Sequence, residues 1–196
     1  MTGASPTSAG RGKLIVISAP SGSGKTTIAR EILRRNSSLR FSVSATTRGM
    51  RRGEVDGEDY FFLAPEEFRR RVSQGEFVEW EEIYGDLYGT LQSEVDAALR
   101  GGKHLLFDVD VKGALSIKRA YPEACLIFIR PPPLQVLEQR LRLRLTEDAE
   151  ALGRRLERVP MELDQAPLFD HQVVNDVLTK AIEEVHEIVQ SHLRTP

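Results

Sequence analysis

The sequence predicts an α/β protein: a parallel sheet of about five strands with helices on both faces, plus a small mixed insertion and a lid. Two observations predict it. The apolar run "KLIVISA" (13–19) meets the glycine-rich "PSGSG" and then "KTTIAREILRR" (25–35), giving a strand, a tight loop and a helix in succession. From residue 104 onward, short apolar runs again alternate with segments of helical spacing. A chain of 196 residues with 40% hydrophobic content is long enough for one sizeable core.

In chain order, residues 1–12 are rich in Ser, Thr, Gly and Pro and read as a disordered tail. "KLIVISA" is continuous and β-branched, as expected of a strand buried on both faces. In the helix after it, Ile28, Ile32 and Leu33 share one face. A strand is expected near Phe41–Ser44. "HLLFDVD" (104–110) and "CLIFIR" (125–130) are strands, each followed by a helix; "PPPLQVLEQRLRLR" opens at prolines that suit a helix N-terminus. "AEALGRRLERVPMELDQA" is helical but broken near Pro160. "HQVVND" (171–176) is a short strand and "VLTKAIEEVHEIVQSHL" a final amphipathic helix. Residues 44–90 depart from the alternation, with "DYFFL", a short helix at "PEEFRRRVSQG" and "EFVEWEEIYGDLYGT". The expected division is a core of 13–43, 91–140 and 168–196, an insertion at 44–90 and a lid at 141–167.

The totals exclude some classes. With 27 basic and 29 acidic residues the net charge is −2, so no global attraction to nucleic acid or an anionic membrane is expected. Cys125 is the single cysteine, set in the apolar "CLIFI", and reads as a buried inert thiol in a reducing compartment. No apolar run reaches signal-peptide or membrane-span length. A cytoplasmic protein is expected.

"APSGSGKT" (19–26) matches the phosphate-loop pattern G-x-x-x-x-G-K-[ST], with Ala19 at the first glycine. The fold class is therefore P-loop NTPase-like. Its backbone N–H groups from Ser21 to Thr26 can encircle a phosphate at the positive end of the following helix. The pattern implies a bound nucleoside triphosphate held by Ala19, Pro20, Ser21, Gly22, Ser23, Gly24, Lys25, Thr26 and Thr27. Lys25 would reach the β- and γ-phosphates, and the Thr26 hydroxyl would ligate Mg²⁺.

"TTRGMRRGE" (46–54) then packs three arginines into five positions. Arginine forks match phosphate oxygens, so a second anion is expected beside the first. A solvated basic loop is the plainer alternative. Tyr60 and Tyr88, in the same insertion, can add hydroxyl donors.

"SVSATTRGMRRGEVDGEDYFF", "EFVEWEEIYGDLYGT" and "FDVDVKGA", behind "APSGSGKTT", resemble the bacterial guanylate kinase family from about Leu14 to the last helix. The resemblance implies transfer of the ATP γ-phosphoryl group to GMP, with Mg²⁺ as cofactor and 44–90 as a GMP-binding subdomain. By resemblance, the GMP-binding residues are Ser44, Arg48, Arg51, Glu54, Tyr60, Glu79, Tyr88, Thr90 and Asp108. Arg48 and Arg51 grip the 5′-phosphate, and Glu79 accepts from the guanine N1–H and N2–H₂ edge, with Ser44 and Thr90 around the base. Asp110 lies near the metal with Thr26, and also suits a helix N-cap. Lys25, Arg48, Arg144 and Arg155 are the implied catalytic residues, the last two from the lid. Asn175 and Asp176 match a family motif near the adenine. ATP and GMP are the expected partners; the sequence does not decide an oligomeric state.

Two departures stand out. Met50 replaces the family's usual proline before Arg51, and Leu145 replaces the usual glycine after the lid arginine. Two rivals remain at this level: a sugar-phosphate kinase, which would not need Glu79, Ser44 and Thr90 together, and a noncatalytic peptide-binding module of the same fold.

Overall fold

The computed structural model describes residues 11–20, 22–83, 85–131 and 159–195. The expectations for the tail up to residue 10, Ser21, Arg144, Leu145 and Arg155 lie outside the described residues.

Strands β1 (Leu14–Ser18), β2 (Leu39–Phe41), β7 (His104–Asp108), β8 (Cys125–Arg130) and β9 (His171–Val174) form one sheet in the order β2-β7-β1-β8-β9. Every pairing in it is parallel, as the alternating pattern predicts. All five residues of β1 are buried, and successive ones serve opposite faces. Ile15 and Ile17 pack with Ile28 and Ile32 of α1 (Lys25–Arg35) and Val185 and Val189 of α5 (Leu178–Arg194). Leu14 and Val16 pack with Val95 and Leu99 of α3 (Gln92–Arg100) and Ala114 and Ile117 of α4 (Val111–Ala120). A strand covered on both sides has no polar face to show, which is why "LIVIS" does not alternate.

Two details differ from expectation. The strand sought near Phe41–Ser44 runs Leu39–Phe41, and Ser42 already leaves it. Helix α3, which spacing did not single out, closes one face of the core. Among the described residues, no helix is long and apolar enough to cross a membrane.

The insertion builds a second sheet, ordered β4-β3-β6-β5, from β3 (Ala45–Thr46), β4 (Phe61–Phe62), β5 (Phe77–Ile83) and β6 (Asp86–Leu91). One face carries Ala45, Leu87 and Leu91 against Phe68 of α2 (Pro65–Ser73). Phe68 is fully buried and stacks on Phe77 with ring centroids 4.3 Å apart. That apolar face leaves the opposite one for polar side chains.

Candidate active site

The phosphate loop leaves the carboxyl end of β1, where open α/β sheets bind ligands. Gly22 (φ 81°) and Gly24 (φ 87°) adopt left-handed backbone that side-chain-bearing residues resist. Gly24 also starts α1, which has no side-chain cap, so the first-turn N–H groups point free at the loop. The Ser23 N–H is an exception to the expected ring of donors. It turns back to the Pro20 carbonyl at 3.2 Å.

Strand β7 runs beside β1 with Asp108 abreast of Ile17. Asp108 faces the loop. Lys25 Nζ lies 2.7 Å from its Oδ1, and the Thr26 hydroxyl donates to its Oδ2 at 2.8 Å. Lys25 also donates to the Val109 carbonyl at 2.8 Å. A hydroxyl and a carboxylate side by side make a hard oxygen donor set that suits Mg²⁺ together with phosphate oxygens.

Asp110 goes elsewhere. It caps α4, its Oδ1 accepting from the Gly113 N–H at 2.7 Å. A Cβ added to Gly113 would sit 3.1 Å from Asp110 Oδ1 and 3.2 Å from Glu79 Oε2. Asp108 thus stands at the phosphate loop with Lys25 and Thr26, and Asp110 stands near Glu79. The reason is local. Strand β7 ends at Asp108, so Asp110, already the N-cap of α4, does not follow the strand's alternation.

On the second sheet, Glu79 of β5 is paired with Thr90 of β6, and Ala45 of β3 with Gly89. One step along the antiparallel register sets Ser44 abreast of Thr90. Ser44, Thr90 and Glu79 therefore form one row across the polar face. The next row holds Thr46, Tyr88 and Glu81. A register shift between Phe77 and Glu79 lets Phe77 stay on the apolar face while Glu79 takes the polar one. The Thr90 hydroxyl donates to Glu79 Oε1 at 2.6 Å. Burial pushes the Glu79 carboxyl up to about 7, against the lowering effect of Thr90; Asp110 and Glu81 push the same way as burial.

Arg48 follows β3. Its guanidinium lies 5.3 Å from the centre of the Tyr60 ring and 5.7 Å from that of Phe62. Tyr60 and Tyr88 rings meet edge-on at 6.2 Å, so Arg48, Tyr60 and Tyr88 form one cluster. Glu54 forks onto Arg48, its Oε1 accepting at 2.7 Å and its Oε2 at 3.1 Å. Glu54 Oε2 also accepts from the Arg51 N–H at 2.7 Å. The Arg48 pair and this bond hold the Glu54 carboxyl below its ordinary range. The Arg51 and Arg52 side chains are exposed, as is Met50. Sequence spacing carried no signal that Glu54 would meet an arginine six positions away across a turn.

The chain thus carries a phosphate loop on one sheet and an arginine–tyrosine cluster with a buried carboxylate on another. The sequence model of the family described as Guanylate kinase matches residues 11–192. A guanylate kinase of Chlorobaculum tepidum is 49% identical over 187 residues, spanning 95% of this chain and 96% of the relative. One of Salinibacter ruber is 51% identical over 173 residues, spanning 87% and 92%. The crystal structure of guanylate kinase from Anaplasma phagocytophilum matches with a TM-score of 0.72 and 29% identity, over 95% of this chain and 88% of that one. The chain belongs to the guanylate kinase family.

Proposed function

We propose that the protein is a nucleoside monophosphate kinase that transfers the γ-phosphoryl group of ATP to GMP, giving ADP and GDP. The observation that carries this reading is the row of Ser44, Thr90 and Glu79 on the same sheet face as the arginine–tyrosine cluster. A nucleotide monophosphate has a phosphate and a base; that face offers cations and hydroxyls for one and a buried acceptor pair for the other.

In this reading the core loop holds the ATP phosphates with its first-turn N–H groups, and Lys25 leaves Asp108 to reach the β- and γ-phosphates. Thr26 and Asp108 would hold Mg²⁺, which when bound would neutralise phosphate charge. Asp110 joins the base pocket. Arg48 grips the GMP phosphate with Tyr60 and Tyr88, while Glu54 keeps the arginine in place. Arg51 joins the grip by turning inward from its exposed position. Arg144 and Arg155, outside the described residues, close from the lid segment 141–167 onto the transferring group. Glu79, ionised, accepts from guanine N1–H and N2–H₂. Adenine presents no such donor edge, and unpaired buried groups reject it by roughly 10⁴-fold. Positioning and charge neutralisation do the chemistry, with no covalent intermediate. The reaction belongs in the cytoplasm, where both nucleotides are at hand.

The test is substitution of the base pocket alone. Glu79→Ala is expected to lower kcat/KM for GMP by about 100-fold or more while leaving ATP affinity within about twofold. Unchanged GMP kinetics would refute the assignment of Glu79.

A further inference from the structure

Asn175 is 1% exposed, and neither the phosphate loop motif nor the base pocket accounts for it. It follows β9 directly, and its backbone N–H donates to the Arg130 carbonyl at 3.0 Å, extending the pairing of β9 with β8. That bond fixes it at the carboxyl edge of the sheet. From there its side-chain Nδ2 donates to the Ser23 carbonyl, 152 positions away, at 2.7 Å. Its Oδ1 and the Ser23 hydroxyl are buried without a hydrogen-bond partner among the described residues. Burying an unpaired amide oxygen is costly, so the group is retained for its donor. The reversed amide would set two acceptors against each other.

The consequence for the loop follows from peptide geometry. A trans peptide points its C=O and the next N–H in opposite directions. Drawing the Ser23 carbonyl outward onto Asn175 therefore turns the Gly24 N–H inward, toward the phosphate. The fit is tight. A Cβ on Gly24 would lie 2.5 Å from Asn175 Nδ2, so glycine is required there by contact as well as by its φ of 87°.

We infer that Asn175 is a positioning residue for the phosphate loop, holding the Ser23–Gly24 peptide in its anion-binding orientation before nucleotide arrives. Asn175 acts on the loop through the Ser23 carbonyl. The inference rests on the proposed ATP site, though not on the choice of acceptor.

Two variants test it: Asn175→Ala, and Asn175→Val, which refills more of the space than alanine without restoring the donor. Mg·ATP affinity is measured by calorimetry. GMP affinity is read from the fluorescence of Trp80, the single tryptophan, which neighbours Glu79. Both variants are expected to weaken Mg·ATP by about tenfold, as loss of one well-placed hydrogen bond allows, with GMP affinity within about twofold. Thermal melting of each variant accompanies the titrations. ATP affinity unchanged in both variants, or ATP and GMP affinity lost together, would overturn the inference. A wild-type protein that binds Mg·ATP but phosphorylates no nucleotide would defeat the kinase reading, while the two ATP titrations would still decide the role of Asn175.

Discussion

Glu79 carries a carboxylate into a place that disfavours its charge. Its carboxyl is raised to about 7 chiefly by burial, from an ordinary value of 4.5. The folded state therefore holds the proton more tightly than the unfolded chain. The resulting stability is present in full below about pH 4.5 and is lost as pH rises through 7. Guanine needs the ionised form. GMP affinity should then be flat above pH 7 and fall by about tenfold per unit below it, which titration of Trp80 fluorescence from pH 5 to 8 would show. A flat profile across that range would contradict the role. Glu79→Gln should be more stable than wild type at pH 8, on the order of a few kcal/mol, and melt at a higher temperature, while losing GMP turnover. At this scale the sequence was partly legible. Lys25 and Thr26 could be picked out because the phosphate-loop pattern restricts which residues stand there, whereas Arg48 and Glu79 sit among like-charged neighbours and are named through the family resemblance. Which neighbours Asp108 and Asp110 meet could not be picked out, because it depends on where β7 stops. The pairing of Glu54 with Arg48 depends on a turn whose shape no local pattern encodes.

Among the elements, the small sheet sets the geometry of the polar rows, and its apolar face holds it to α2. Phe68 is the fully buried centre of that contact, stacked on Phe77 two residues from Glu79. Phe68→Ala should cost about 3–5 kcal/mol locally and weaken GMP binding more than ATP binding, since the core sheet has its own two clusters. Chemical denaturation alongside the two binding titrations checks this; equal loss of both affinities would argue that the sheets unfold as one. The core strands were legible because both-face burial writes continuous β-branched runs. Strand β2 was misplaced toward Ser44 because "RFSVSAT" supplies strand-like residues to two sheets in turn, and only tertiary pairing decides where one ends. Helix α3 escaped notice because its buried repeat, Val95 and Leu99, spans little more than one turn.

For the whole molecule, the account requires two nucleotide sites that meet at the reacting phosphate. Lys25→Ala should abolish turnover yet leave GMP binding within about twofold, because Lys25 serves only the core loop. Chelation of Mg²⁺ with EDTA should also abolish turnover, with recovery on adding the ion back. The most direct measurement of the central claim is ADP formation with Mg·ATP and each of GMP, AMP, CMP and UMP, corrected for hydrolysis without acceptor. The account predicts strong turnover with GMP and roughly 10⁴-fold less with AMP. Equal use of AMP, or no turnover with any of the four while Mg·ATP still binds, would contradict it.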